Sequence, residues 1–176
     1  VQWAVLAQSH DKVGNVLQST AYASALTSDP GGNVGQAELS SWLQNPLLNS
    51  QQDNITQYLY DSANRRIFSI NALGGVSQNE YDAMGNVVLA IQWDKTLVGK
   101  FANTEAITLA LTPAGQHWSE RAGWLNDGKN RLAATVYDSA GRAAMQIDAL
   151  GNVVERQFDG IGNAIRINTY GKPVSP

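Results

Sequence analysis

The sequence contains no cysteine, two histidines and five prolines in 176 residues. Without cysteine there is no disulfide framework and no thiolate metal site, a usage that fits an exported bacterial chain without requiring one. Charged residues make up 15% of the chain and leave a formal net charge of −3, so no basic face is available for nucleic acid. No run of 18 apolar residues is present to cross a membrane as a helix. The glycines are scattered rather than gathered as GxGxxG or GxxxxGK, which removes the phosphate cradle and any nucleotide cofactor it would hold. His10 and His117 stand in unrelated contexts and no nucleophile-elbow serine accompanies them, so a hydrolase is not expected. The first residue is Val1, with neither an initiator methionine nor a signal peptide, and the expectation is a piece of something longer.

What the chain does have is punctuation. Asp138, Asp148 and Asp159 are each followed three residues later by glycine, at Gly141, Gly151 and Gly162, and the aspartates step along the chain by 10 and then by 11. Asp at the first position of a type I turn caps its own backbone, and glycine at the fourth takes the positive φ from which the chain re-enters a strand. A type I turn followed by a left-handed residue is a common three-residue hairpin loop, and the residues left between turns match ordinary strand length. Each step therefore predicts one strand plus one turn. The same marks occur at Asp61 with Asn64, Asn71 with Gly74, and Asp82 with Gly85, where Asn64 stands in as the residue that tolerates the left-handed region best after glycine. A worn copy is Asp11 with Gly14, and Asp127 with Asn130 reads as one further turn.

A longer period lies above the short one. Tyr60 and Tyr137 stand in an i, i+77 relation, as do Asp82 and Asp159, while Asp11 and Asp82 stand in an i, i+71 relation. Aligned on their turns, Asn15–Tyr22, Asn86–Trp93 and Asn163–Tyr170 each carry an aromatic seven residues after the asparagine. With a period of two, Tyr22, Trp93 and Tyr170 fall on the face opposite the turn asparagine, together with Val16, Val87 and Ala164, as equivalent packing sites. The blocks are 1–22 (partial), 58–93 and 126–170, separated by spacers at 23–57 and 94–125, with 171–176 starting a further spacer or linker. Both spacers read as partly helical. Leu39, Trp42 and Leu43 keep i, i+3, i+4 spacing before Asn45-Pro46, and TEAITLALT follows Asn103 as a helix cap and stops before Pro113.

The Tyr-Asp dipeptides at 60, 81 and 137, the Phe158-Asp159 variant, and the segments YDSAGR, DALGNVV and YDAMGNVV resemble the YD repeats of the Rhs/YD-repeat superfamily. The likeness covers 58–93 and 127–170 well and 5–22 weakly. It implies a mainly β chain whose antiparallel strand-turn repeats wind as a ribbon, solenoid or shell segment, with short helical spacers, as in the toxin-enclosing cocoons of that superfamily and the teneurin shell. It further implies a non-catalytic structural segment of an extracellular or cell-surface fibre, stalk or shell. Its partners would be further repeats of the same chain or identical copies, joined through strand edges. The departures are His10 where tyrosine is expected, Trp3 where a turn glycine is expected, and no core or toxin domain after Tyr170. Asp29-Pro30-Gly31-Gly32 matches the short DPxG motif of the family's self-cleaving core, but YD blocks follow it rather than precede it, and Pro-Gly is ordinary turn chemistry.

Two binding chemistries remain to be weighed. The spaced carboxylates Asp61, Asp82, Asp138, Asp148 and Asp159 could be imagined as calcium ligands, but turn capping explains their spacing and the dense Gly-Gly-x-Gly-x-Asp pattern of calcium-binding β-rolls is missing, so no metal is expected. Five Trp and six Tyr could line a carbohydrate-binding surface of an adhesin. Trp42, Trp118 and Trp124, however, sit in spacers that must clamp onto the sheet, and tyrosine at a strand end packs while keeping its hydroxyl wet. Asn54-Ile55-Thr56 is a formal N-glycan acceptor of no expected consequence in a bacterial chain.

Overall fold

The computed structural model describes residues 4–24, 36–44, 52–97, 101, 106–107 and 129–171. Among the described residues ten strands follow one another: β1 Leu6–His10, β2 Val16–Ala21, β3 Asn54–Tyr60, β4 Arg66–Ile70, β5 Gly75–Tyr81, β6 Val87–Thr96, β7 Arg131–Tyr137, β8 Ala143–Ile147, β9 Val153–Phe158 and β10 Ala164–Tyr170, with the helix α1 over Gln36–Leu43. The protein is mainly β, and the hydrogen-bonded order of the strands is their order along the chain, each resolved ladder being antiparallel. Two compact units divide inside β3, between Tyr58 and Leu59.

In the first unit β2 pairs with β1 on one side and β3 on the other, Gln18 facing Gln57 and Thr20 facing Ile55. The Gln57 amide donates to Gln18 Oε1 at 3.2 Å, so this part of the ladder is polar. The helix brings Trp42 edge-on to Tyr22, with ring centroids 5.3 Å apart. The spacer is tied at its two ends, because the Ala23 N–H donates to Asp53 Oδ1 at 3.0 Å. β3 starts at Asn54, so the strand begins inside the expected 23–57 spacer.

The second unit holds the apolar core. Phe68, Gln78, Ile91 and Leu132 face one another across β4 to β7, and Ile70 faces Val76. Leu59, Phe68, Ile70, Val76, Ile91 and Trp93 are buried together with Leu97 and Ile107, which come from the spacer. Each such side chain contributes roughly 1.5–3 kcal/mol when fully withdrawn from water. The spacer therefore lies on the same face as this core, and Ala106–Ile107 is helical. Asn103, Pro113 and the rest of TEAITLALT lie outside the described residues, as do Asn45-Pro46. The Leu97 N–H donates to the Gly74 carbonyl at 2.8 Å, and a methyl group on Gly74 would run into the Leu97 carbonyl oxygen.

Two expectations are corrected here. Asn130 is not the left-handed residue of a turn: Asn64 is the one non-glycine with positive φ among the described residues, and Asn130 is instead buried, its Oδ1 accepting the Asp94 N–H at 2.9 Å. It thus closes the second spacer as Asp53 closes the first, and Asp127 lies outside the described residues. Strict alternation also fails beside the turns. Bulges between Ser9 and His10, Glu80 and Tyr81, Val136 and Tyr137, and Ala164 and Arg166 insert a residue next to four of the loops, so the first strand residue (Val16, Val87, Ala164) is out of phase with the aromatic six residues on.

Gly162 has φ +97° and open space where a Cβ would sit, whereas Gly74 has φ +81° and no space. We expect Gly162→Ala to cost about 1 kcal/mol by strain alone and Gly74→Ala at least about twice that, read from urea denaturation midpoints. Equal losses at the two positions would contradict the packing of the spacer against Gly74.

Candidate functional site: aspartate turns and arginine bridges

Seven loops share one construction, shown by the loop from Asp82 to Asn86. The Asp82 N–H donates to the Asn86 carbonyl at 3.0 Å and the Gly85 N–H to the Asp82 carbonyl at 3.1 Å, which makes a type I turn with glycine, at φ +89°, as the left-handed residue. The Asp82 side chain then fills the loop, Oδ1 accepting from the Met84 and Asn86 N–H groups at 2.9 Å and Oδ2 from the Asn86 amide at 2.9 Å. Positive φ falls at Gly14, Asn64, Gly74, Gly85, Gly141, Gly151 and Gly162. Asp11, Asp61, Asn71, Asp138, Asp148 and Asp159 occupy the position of Asp82, with Oδ1 on the second and fourth following amides.

The residue four after the aspartate is the one that the spacing rule did not name. It is asparagine at 15, 86, 152 and 163, where its amide donates to the aspartate Oδ2, and arginine at 65 and 142. The signal was in the sequence, as the recurring GN and NR or GR that follow the turn. The arginines do more than the asparagines. Arg65 Nε donates to Asp61 Oδ2 at 2.7 Å, its Nη1 to the Asp82 carbonyl at 2.9 Å, and its guanidinium lies 4.8 Å above the Tyr81 ring. Arg142, the equivalent residue of the next long repeat, does the same on Asp138, the Asp159 carbonyl and the Phe158 ring, at 2.7, 2.9 and 4.7 Å. One side chain thereby locks two successive hairpins, through an ion pair that solvent largely screens at such exposure and a cation–π contact.

The repeat aromatics serve different ends. Tyr81 and Phe158 receive the arginines, and the Tyr81 and Tyr137 hydroxyls donate to the Arg66 and Val87 carbonyls at 2.8 and 3.2 Å. Tyr60 ends β3. Tyr22, Trp93 and Tyr170 recur at one phase but are not equivalent packing sites: Trp93 is 4% exposed, Tyr22 meets Trp42, and Tyr170 is 48% exposed with its hydroxyl on Glu155 at 2.8 Å. The reason is that the face turns polar at β9 and β10, where Glu155 also accepts from the Asn168 amide at 3.0 Å. A shallow trough on the other face, lined by Ser77, Asn79, Ala90, Gln92, Arg131 and Ala133, contains no aromatic ring for a sugar to stack on. Asp29-Pro30-Gly31-Gly32, His117, Trp118 and Trp124 lie outside the described residues, and His10 is exposed at the end of β1. Among the described residues no three His, Asp or Glu side chains come together as a metal site.

Electrostatics follow from the hydrogen bonds. The Asn86, Asn152 and Asn163 side chains hold the carboxyls of Asp82, Asp148 and Asp159 below the usual range, and the Arg142 backbone amide does the same first for Asp138. For Asp11 and Asp61 partial desolvation pushes upward, but the combined bonds to Asn15 and Arg65 and neighbouring amides outweigh it. Folded values depressed below the ordinary 3.8 give stability that is fully present above that pH and lost as pH falls through them. Glu80, raised by burial, opposes part of this. The melting temperature is therefore expected to be level from about pH 7 to about pH 4.5 and to fall below about pH 4. A melting temperature unchanged down to about pH 2.5 would contradict the role of the carboxylates.

These features define a class of antiparallel β repeat in which aspartate loops alternate with strands and arginines tie neighbouring hairpins. No family model matches the sequence and no curated protein matches it. Two crystal structures of TcdB2–TccC3 assemblies share the fold. The TcdB2–TccC3–Cdc42 structure aligns over 96% of this chain with a TM-score of 0.55 at 14% identity, and the TcdB2–TccC3 structure over 92% with 0.53 at 16%. This chain spans 6% of the length of each. The likeness is one of fold.

Proposed function

We propose that the chain is a non-catalytic wall segment of an extracellular assembly, continued at its strand edge by further antiparallel repeats. The observation that carries this reading is β10. Among the described residues it has a ladder on one side only, to β9, and it leaves Ile165 and Ile167 exposed at 66% and 60%. A seven-residue strand with apolar side chains and a free edge is what natural proteins cover or pair. Fibre, stalk and shell are all served by such a segment, and the fold likeness to short stretches of much longer TcdB2–TccC3 chains supports a segment within a longer wall. The mechanism is mechanical. Backbone ladders carry load from strand to strand, arginines couple the hairpins, and the second spacer brings Leu97 and Ile107 onto the apolar face of its own unit.

Sedimentation velocity on the isolated chain over a range of concentration tests the reading. Association is expected to rise with concentration and to be largely abolished by Ile167→Lys, which places a charge on the exposed strand. A chain that stays monomeric throughout, with the variant indistinguishable from it, would refute the proposal.

A further inference from the structure

The loops closing β1–β2, β3–β4, β5–β6, β7–β8 and β9–β10 end, in chain order, on Asn15, Arg65, Asn86, Arg142 and Asn163. Asparagine and arginine hairpins alternate, and β10 closes an asparagine hairpin. The strands equivalent to β10 are β2 and β6, and both are seated against the first strand of an arginine hairpin. The seating is the same in both: Gln18 faces Gln57 and Thr20 faces Ile55, while Leu89 faces Ala134 and Ile91 faces Leu132. Gln57 and Ala134, like Ile55 and Leu132, are separated by the same interval as Tyr60 and Tyr137, so the register repeats residue for residue. At the second seat the Tyr137 hydroxyl donates to the Val87 carbonyl, which fixes the tyrosine of the Tyr-Asp pair over the first residue of the neighbouring strand.

Carried forward from β6, the seat on β10 consists of Arg166 in place of Leu89, Asn168 in place of Ile91 and Ala164 in place of Val87. We infer that the free edge of β10 is the docking site for a Tyr-Asp arginine hairpin, antiparallel, with the hairpin residue five before its aspartate-preceding tyrosine opposite Asn168, the residue three before it opposite Arg166, and the tyrosine hydroxyl on the Ala164 carbonyl. The inference rests on the wall reading and narrows it. β1 of an identical copy is a weaker partner, engaged only as concentration rises, since it carries His10 where the docking strand has its tyrosine and so offers no hydroxyl to the Ala164 carbonyl.

The chemistry of the seat also selects the partner. At the position equivalent to Arg166 the two observed seats match like with like, amide to amide at Gln18 and Gln57 and apolar to apolar at Leu89 and Ala134. Arg166 Nε is held by Asn168 Oδ1 at 3.2 Å, and the guanidinium has further donors for an acceptor across the ladder. The partner residue opposite Arg166 is therefore glutamine, glutamate or aspartate rather than alanine.

Disulfide trapping tests both statements, because the chain has no native thiol. The whole chain carrying Asn168→Cys is mixed with a cyclised peptide of residues 53–71, the cyclisation holding a hairpin that is marginal alone, in which cysteine replaces either Ile55 or Thr56. Capture is expected to be at least about tenfold faster for Ile55→Cys than for Thr56→Cys, because only the former lies on the same face in the inferred register. Gln57→Glu in the peptide is expected to speed capture further, and Gln57→Ala to slow it, with both effects gone when the chain also carries Arg166→Gln. Equal rates for the two cysteine positions, or faster capture of Thr56→Cys, would overturn the register. Preferential self-linking of the chain to a second copy bearing Ser9→Cys on β1 would overturn the hairpin as partner while leaving the wall reading intact. Absence of capture in every arm, with concentration-dependent association through β10 still present, would likewise sink this inference alone.

Discussion

The carboxylate of the turn aspartate is the constraint on which the rest of the structure depends. A three-residue loop leaves two amides pointing inward with no backbone partner, and one Oδ1 accepts both while Oδ2 takes the side chain four residues on. The loop is thereby closed by its own residues, with no bond from a third strand. Closure fixes which residue faces which across the hairpin, and with a period of two the register decides which side chains reach the core. Six of the seven loops use aspartate, and the seventh uses the asparagine oxygen of Asn71 for the same two amides.

Register then builds the layers. In the second unit the residues aimed at one face include Phe68, Ile70, Val76 and Ile91, and the spacer returns Leu97 and Ile107 onto them. Asn130 and Asp53 perform one task at the two spacers, each receiving an amide from the strand end where the chain leaves the sheet. The spacers are thus not free insertions. They are clamped at the base and carry apolar side chains back to the sheet. Toward β10 the same face becomes polar through Glu155, Asn168 and Arg166, so the apolar core fades toward the last described strand.

Much of this was legible in the sequence, for a physical reason: the loop is a local object, and its aspartate and left-handed residue sit three apart wherever the chain turns. The strands between turns were legible for the same reason. What lay beyond reach was whatever depends on a partner distant in sequence. Asn130 has the local spacing of a turn residue after Asp127, yet a buried bond to the Asp94 amide decides its place. Arg65 and Arg142 have an evident partner four residues back, but their bond to a carbonyl 17 residues ahead exists only once two hairpins stand side by side. The inequality of Tyr22, Trp93 and Tyr170 has the same origin, since phase sets the face and neighbours set the burial.

The most direct measurement of the central claim is amide hydrogen exchange at the fourth residue after each turn aspartate. Asn86, Asn152 and Asn163 donate their N–H groups to carboxylate oxygens at 2.8 to 3.0 Å. Protection of about a hundredfold or more over the unstructured chain is predicted at these amides at neutral pH, falling away as the carboxylates are protonated. Exchange at unprotected rates, or protection indifferent to protonation, would contradict an account in which aspartate side chains close the loops and set the register of the sheet.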